Sequence, residues 1–321
     1  MSAVKELAIR SNYHLKYKIQ KWFPRHMNKG FRDVMKTIRK VDCIVEVHDA
    51  RIPFSGRNLE FIRSLTSIKP HVLILTKVDL MDMIYKRRVK DKLEYEGNSK
   101  CLFIDSMNAS KELSGFSQIL PTVVEIISNS NRFNREDATD INLMIIGIPN
   151  VGKSTLINRM RHTYLGVGGR ATVTGATAGV TRSVLERIKI NAIPPVYLFD
   201  TPGVLDPKVD KDIETIMRCA LCATLNDNVI GIENIADYLL YWMNRHKNYN
   251  YVNHLGLDTP SDDIREVLIK GSVYLKNLYE IRCPQTGQLE MRPQLSNTAN
   301  VFVTAFRKGL LGRVLLDDDI L

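Results

Sequence analysis

Short apolar runs recur along the first two hundred residues, with charged, helix-patterned stretches between them. Val41–Val47, His71–Leu75, Leu102–Ile104, Ile141–Ile146, Val184–Ile190 and Val196–Phe199 are strand-sized and rich in β-branched residues. Helical spacing fills residues 82–96, 116–128 and the stretch from Lys153 onward. Strands alternating with helices predict βαβ units and a mostly parallel sheet. Parallel strands are covered on both faces, which accounts for runs that are continuously apolar rather than alternating. Residues 26–40 read as a basic amphipathic helix, with Met27, Phe31, Val34, Met35 and Ile38 on one face. Residues 129–140 are polar and predict a linker. After Pro207 helical patterns dominate, as at 213–225 and 235–244. The expected organisation is a basic arm over 1–23, an α/β nucleotide-binding domain over 24–206, and a smaller, mainly helical domain over 207–321.

Composition narrows the class. The 321 residues are 44% hydrophobic and 25% charged, the balance of a globular protein. No apolar run is long enough to span a bilayer. Five scattered cysteines argue against a disulfide framework. The net charge of +10 is unevenly placed, because residues 1–40 hold 11 Lys and Arg against 2 Asp and Glu. A second basic stretch runs from Lys153 to Lys189. Both favour a polyanionic partner. The first 22 residues carry one acid, Glu6. They suit an organelle transit segment or a basic helix of the folded protein, and composition leaves both open.

The chemistry lies at the ends of the strands. Gly147–Ser154 (GIPNVGKS) matches G-x-x-x-x-G-K-[ST], after an apolar run and at the start of a helix. Loop and helix amides from Asn150, Val151 and Gly152 through Thr155 are expected to cradle phosphates; Pro149 has no N–H to offer. Lys153 adds a positive charge and the Ser154 hydroxyl is a candidate Mg²⁺ ligand. Asp200 opens D-T-P-G at the end of a later strand and is a second candidate for the Mg²⁺ shell, with Gly203 able to reach a γ-phosphate. Thr181, chosen over Thr172, Thr174 and Thr177, is the candidate switch threonine on the metal. Thr76-Lys77-Val78-Asp79 matches [NT]-K-x-D, in which the aspartate accepts from guanine N1 and N2 and the lysine stem covers the base. Asp105 and Ser106, at the next strand end, are the candidate loop for guanine O6. Cys219 and Cys222 have no partner pair and read as buried thiols. Asp317–Asp319 reads as a solvated tail. The aromatic stretch 238–251 reads as helix core, with base stacking as the alternative.

Motif order is informative. The guanine motif begins at 76, the phosphate loop at 147 and D-T-P-G at 200, whereas small GTPases begin with the phosphate loop. Opening the chain elsewhere and joining its former ends gives this order. With Trp22–Met27 (WFPRHM), Val41–Pro53 (VDCIVEVHDARIP), Asp237–Leu240 and Phe306–Gly312, these motifs make the chain resemble the circularly permuted GTPases that assist assembly of the large ribosomal subunit, and among them the mitochondrial members. That resemblance implies a P-loop GTPase that binds GTP and GDP and engages rRNA and proteins of the large, mitochondrial subunit. It also implies a matrix location with peripheral contact at the inner membrane. Arg25 stands where the family usually has glycine. Val204 stands where many GTPases place a water-orienting glutamine, and the resemblance implies that His26 supplies that role; a helix-start histidine bonding the backbone is the plainer reading. Asn150 resembles a loop asparagine that helps hold K⁺, against a simple loop cap. Asp49 and Arg51 lie at a strand's carboxyl end, either near the switches or as a structural ion pair. A signalling or traffic GTPase, or a nucleotide-binding module with negligible turnover, are the competing functional classes.

The guanine motif yields a direct test. Asp79→Asn should weaken GTP by roughly 1.5–3 kcal/mol and shift preference toward xanthosine nucleotides, read by competition binding. Unchanged GTP affinity would contradict the assignment.

Overall fold

The structure, a computed structural model, describes residues 9–15, 34–97, 100–105, 115–132, 135–167, 187–201, 212–282 and 288–321. His26, Ser106, Thr181 and Gly203 lie outside the described residues, as do Arg25, Val204 and most of the basic arm. The chain divides into two compact units: Phe23–Leu225 with Arg313–Leu321, and Met1–Trp22 with Asn226–Gly312.

The first unit is built on six strands: β1 (Cys43–Asp49), β2 (His71–Thr76), β3 (Cys101–Phe103), β4 (Ile141–Ile146), β5 (Arg187–Asn191) and β6 (Val196–Asp200). Their order is β3-β2-β1-β4-β6-β5. Every pairing is parallel except β5 with β6. The central strands β1, β2 and β4 are buried at every position, as continuous apolar runs require. The edge strand β5 instead exposes Arg187 and Lys189 while burying Ile188 and Ile190. Around the sheet run α1 (Leu59–Thr66), α2 (Lys86–Tyr95), α3 (Ile119–Ser128), α4 (Lys153–Leu165) and α5 (Ile213–Leu221). Helix α1 has no counterpart in the sequence reading. It is short, capped by Asn58 Oδ1 accepting from Phe61 N at 3.0 Å, and buries one residue fully, Leu65. Phe61 and Ile62 pack beside Leu65 on the core, but eight residues are fewer than the window over which helical periodicity is read.

Two sequence expectations change here. Val34 and Ile38 pack against Ile44, Met144 and Phe199, but Met35 is exposed, because a residue one position on turns about 100° off that face. In the polar segment 129–140, Arg132 and Arg135 fold back onto Asp42 at 3.1 and 3.0 Å. Asp42 also accepts from Asn142 N, so the segment clasps the start of β4.

The second unit contains α6 (Asp227–Ile230), α7 (Ile232–Arg245), α8 (Asn250–His254), α9 (Ile264–Tyr274), the hairpin β7 (Leu278–Arg282) with β8 (Leu289–Pro293), and α10 (Leu295–Arg307). Both hairpin strands are mostly exposed, so they lack the alternation that marks a half-buried strand. Tyr238, Tyr241, Trp242 and Tyr251 are buried, which makes this stretch core. The segment 9–15 belongs to the same unit. Arg10 pairs with Asp237 at 2.9 Å and Asp262 at 3.0 Å. Tyr13 is buried edge-on to Tyr238, with ring centroids 4.9 Å apart. Asp237 of the D-Y-L-L string therefore anchors a piece of the N-terminal segment.

Inside the sheet, Glu46 in β1 accepts from Arg57 at 2.7 and 2.8 Å and from His71 at 3.0 Å. Burial would raise its pKa, but Arg57 and His71 hold it well below the usual carboxylate range. His48 on the same strand is buried, with Nε2 2.9 Å from Ser55 O. Burial, and then the Arg57 charge, push its pKa down to about 4. A histidine depressed when folded takes up its proton first in the unfolded chain, so stability is lost as pH falls through the window from about 6.5 to about 4. The wild type should lose about 2 kcal/mol more than His48→Gln between pH 7 and pH 5, measured by urea unfolding. Subtracting the variant removes the contributions of other titrating groups. An equal loss in both proteins would contradict a neutral, buried His48.

Candidate nucleotide site

Strands β1, β2, β4 and β6 are neighbours and parallel, so their carboxyl ends open on one side, where ligands bind in open α/β sheets. The phosphate loop leaves β4 there. Gly147 has φ +149°, and a Cβ on it would lie 2.1 Å from Val47 O, so only glycine lets the loop pass the end of β1. Asn150 and Gly152 are left-handed, and Gly152 caps α4. The amides of the loop and first helical turn therefore face the carboxyl edge. Val151 is buried, while Ser154 and Thr155 are partly accessible on the first turn. Lys153 is buried, and its Nζ donates to Gly147 O at 3.0 Å and Ile148 O at 2.8 Å.

Asp200, at the end of β6, is buried beside this lysine. Neither of its carboxylate oxygens has a hydrogen bond of acceptable geometry among the described residues. Burial raises its pKa to about 6, offset in part by the Lys153 ammonium and the Thr201 amide. Burial also lowers Lys153 to about 8, with Asp200 opposing the shift. A buried carboxylate without hydrogen-bond donors is costly unless a cation completes it. The pair Asp200 and Ser154 thus fits a hard, oxygen-ligated ion such as Mg²⁺. No cluster of three His, Cys, Asp or Glu among the described residues could hold a metal without such partners. Cys219 and Cys222 are buried free thiols, raised by burial, as the sequence reading expected.

The guanine motif leaves β2, next to β1. Thr76 is fully buried, and its hydroxyl lies within hydrogen-bond reach of Val151 O in the phosphate loop and of His48 O at 3.0 Å. Threonine in place of the more frequent asparagine thus keeps a donor toward the loop. Lys77 adopts φ +55° and bridges two groups: Asn150 O at 2.8 Å and Asp49 Oδ2 at 2.9 Å. Its side chain consequently links the end of β2 to the loop after β4 and to the end of β1. Asp79 is half-buried, and its Oδ1 has no hydrogen-bond partner among the described residues. Burial, with Asp105 adding like charge, raises its pKa. Asp105 follows β3, its carbonyl accepts from Arg159 of α4 at 2.9 Å, and it lies near enough to Asp79 to interact.

Asp49 and Arg51 form a buried two-bond ion pair, at 3.0 and 2.8 Å. Burial disfavours the charged carboxylate, but Arg51 and Lys77 together hold Asp49 far below its ordinary range. The structural reading of this pair holds, with Lys77 as a partner that the sequence did not disclose. Asn150 Nδ2 donates to Ala223 O at 2.7 Å, tying the loop to the residues after α5.

The solvated-tail expectation for Asp317 fails. Asp317 is fully buried and accepts from Phe54 N, Ser55 N and Ser55 Oγ. A run of three acids looks like a tail because nothing local reveals the donors about 260 residues away. Asp319 stays partly exposed on Arg218.

Comparison with known proteins agrees with this geometry. The 50S ribosome-binding GTPase family profile matches residues 142–257. The chain is 45% identical over 298 residues to Mitochondrial GTPase 1 of Aedes aegypti, covering 93% of each. It is 42% identical over 305 residues to Mitochondrial ribosome-associated GTPase 1 of Mus musculus, covering 94% of this chain and 91% of the relative. Its fold is similar to that of GNP-bound YlqF from T. maritima, with TM-score 0.53 and 20% identity over 90% of this chain and 97% of the other. Phosphate and guanine motifs in this swapped order, on one sheet edge, together with near full-length identity to these relatives, establish that the chain belongs to the circularly permuted ribosome-assembly GTPases, in the branch of mitochondrial ribosome-associated GTPase 1.

Proposed function

We propose that this GTPase is a mitochondrial switch on the large ribosomal subunit, bound in its GTP form and released by hydrolysis. The carrying observation is Asp200, buried with neither carboxylate oxygen hydrogen-bonded, together with the half-buried Asp79, whose Oδ1 lacks a partner among the described residues, on strand ends stitched together by Lys77 and Thr76. On this reading Asp79 accepts from guanine N1 and N2, and Asp105 with Ser106 flanks O6. Amides from Asn150 to Thr155 bind the phosphates. Lys153 leaves its carbonyl partners to neutralise developing charge, and the Gly203 amide reaches the γ-phosphate. Ser154, Thr181 and Asp200 would hold Mg²⁺, which would neutralise negative charge on the phosphates. The same reading gives Asn150 a K⁺ ligand role, with its backbone carbonyl on Lys77 and its side-chain NH₂ on Ala223 O.

Two further features support a polyanionic partner. The first 40 residues carry most of the net charge. The edge strand β5 presents exposed Arg187, paired with Asp140, and exposed Lys189. These fit rRNA phosphates in the matrix. Among the described residues no helix is long and apolar enough to cross a membrane. His26 is the proposed water-orienting group, since valine follows Gly203 and has no polar atom to offer.

The test is GTP turnover with and without purified large mitochondrial subunits at two salt concentrations. Turnover should be slow alone, rise with subunits, and lose that rise as salt screens phosphate contacts. His26→Ala should keep GTP binding while losing about 10²–10⁴-fold of the stimulated rate. Full, salt-insensitive turnover by the isolated protein would contradict the subunit reading. Wild-type stimulated turnover in His26→Ala would remove the histidine from the reaction.

A further inference from the structure

Four chain segments around the phosphate loop converge on the last nine residues. Val314 exchanges backbone hydrogen bonds with the loop just past the guanine motif: its N donates to Leu80 O at 3.0 Å, and Asp82 N donates to its carbonyl. Leu316 N donates to Arg51 O at 2.8 Å, next to Asp49. Leu315 is buried against Leu73, Leu75 and Met81. Asp317 Oδ2 accepts from Phe54 N and Ser55 N, both at 2.8 Å, and Oδ1 from the Ser55 hydroxyl at 2.5 Å. The same Oδ1 lies 3.4 Å from Arg218 Nη1 in α5.

Both elements held by Asp317 press on the phosphate loop. Between Ser55 and Arg57 the chain turns at Gly56, with φ +80°. A Cβ there would sit 2.8 Å from Cys219 Sγ of α5 and 3.3 Å from Ile148 of the phosphate loop, so three segments meet with no spare room. Helix α5 then ends near Ala223, at φ +59°, whose carbonyl accepts from Asn150 Nδ2. The route from Asp317 to the phosphate loop is therefore short: carboxylate to Arg218 and the 54–56 turn, then through α5 to Asn150.

We infer that Asp317 is a positioning residue for nucleotide binding, and that the C-terminal segment Val314–Leu321 is a strap that fixes the phosphate loop through α5 and the 54–56 turn. The hydrogen bonds described for Asp317 go to Phe54, Ser55 and Arg218, outside the nucleotide motifs. The strap acts by holding Ala223 O where Asn150 can meet it, which sets the loop's left-handed turn at Asn150. A fully buried carboxylate with four donors is also hard to replace, since loss of the anion strands two amides and a hydroxyl and takes away one of three carboxylates on Arg218.

The inference rests on the phosphate-loop reading, and the experiment separates the two. GDP affinity is measured by calorimetry for wild type, Asp317→Ala, Asp317→Asn, Asn150→Ala, the double variant Asp317→Ala/Asn150→Ala, and Lys153→Ala, with thermal unfolding of each as a control for folding. Lys153→Ala should lose GDP; retained binding would overturn the phosphate-loop reading and the strap with it. Asp317→Ala should weaken GDP about 10-fold, and Asp317→Asn, which keeps one accepting oxygen, about 3-fold. The double variant should bind within about 2-fold of Asn150→Ala alone, because the two residues lie on one route. A general loss of stability would not produce that non-additivity. Additive losses, or wild-type affinity in Asp317→Ala beside a defective Lys153→Ala, would overturn the strap alone. If Asp317→Ala does not fold, Asp317→Asn with and without Asn150→Ala gives the same decision.

Discussion

A single buried carboxylate organises the nucleotide edge of this protein. Asp49 ends the central strand β1 with no exposure to solvent, a position that an isolated charge cannot occupy without a large desolvation cost. It is stable because Arg51 and Lys77 both donate to it. Removing one partner of such a buried set typically costs about 3–5 kcal/mol, so the geometry is strongly held. Its consequences spread outward. Lys77 is fixed in a left-handed turn with its ammonium also on Asn150 O, and Asn150 in turn reaches Ala223. The end of β2, the phosphate loop and the segment after α5 are joined by one chain of hydrogen bonds, of which those from Lys77 are charge-assisted, the stronger kind.

This linkage explains why the rearranged motif order leaves the chemistry intact. A nucleotide site on an open parallel sheet depends on which strands lie side by side and on which ends face the ligand. Here β4 sits between β1 and β6, and β2 sits on β1. The phosphate loop thus lies between the guanine motif and D-T-P-G in space as it does in this sequence, whereas small GTPases begin with it. The cuts fall in connections, and the strand neighbours do not change.

Much of this was legible from residues alone. Strands β1, β2 and β4 announced themselves because both faces are buried and the runs are continuously apolar. Lys153, Asp200 and Asp79 could be singled out because phosphate, Mg²⁺ and guanine each demand one residue type at one spacing, and the structure sets Lys153 and Asp200 side by side. What stayed hidden depends on contacts between distant positions. Asp317 looked like a solvated acid because its donors, at 54, 55 and 218, carry no local sign of the pairing. Lys77 was expected over the base, and its second role on Asp49 needs the register of β1 against β2, in which Asp49 pairs with Thr76. The β7–β8 hairpin escaped because a ribbon exposed on both faces has no hydrophobic period to read.

The account's central claim is that the base-reading strand end and the phosphate loop form one unit, joined at Thr76 as well as at Lys77. Thr76→Val removes only the hydroxyl that reaches Val151 O and His48 O, keeping the side chain's shape. Calorimetric titration with GDP and GTP should show both weakened by about 10-fold, with guanine still preferred over adenine, because the loop is loosened while Asp79 is untouched. Wild-type affinity for both nucleotides would contradict the claim, since the two ends would then bind as independent pieces.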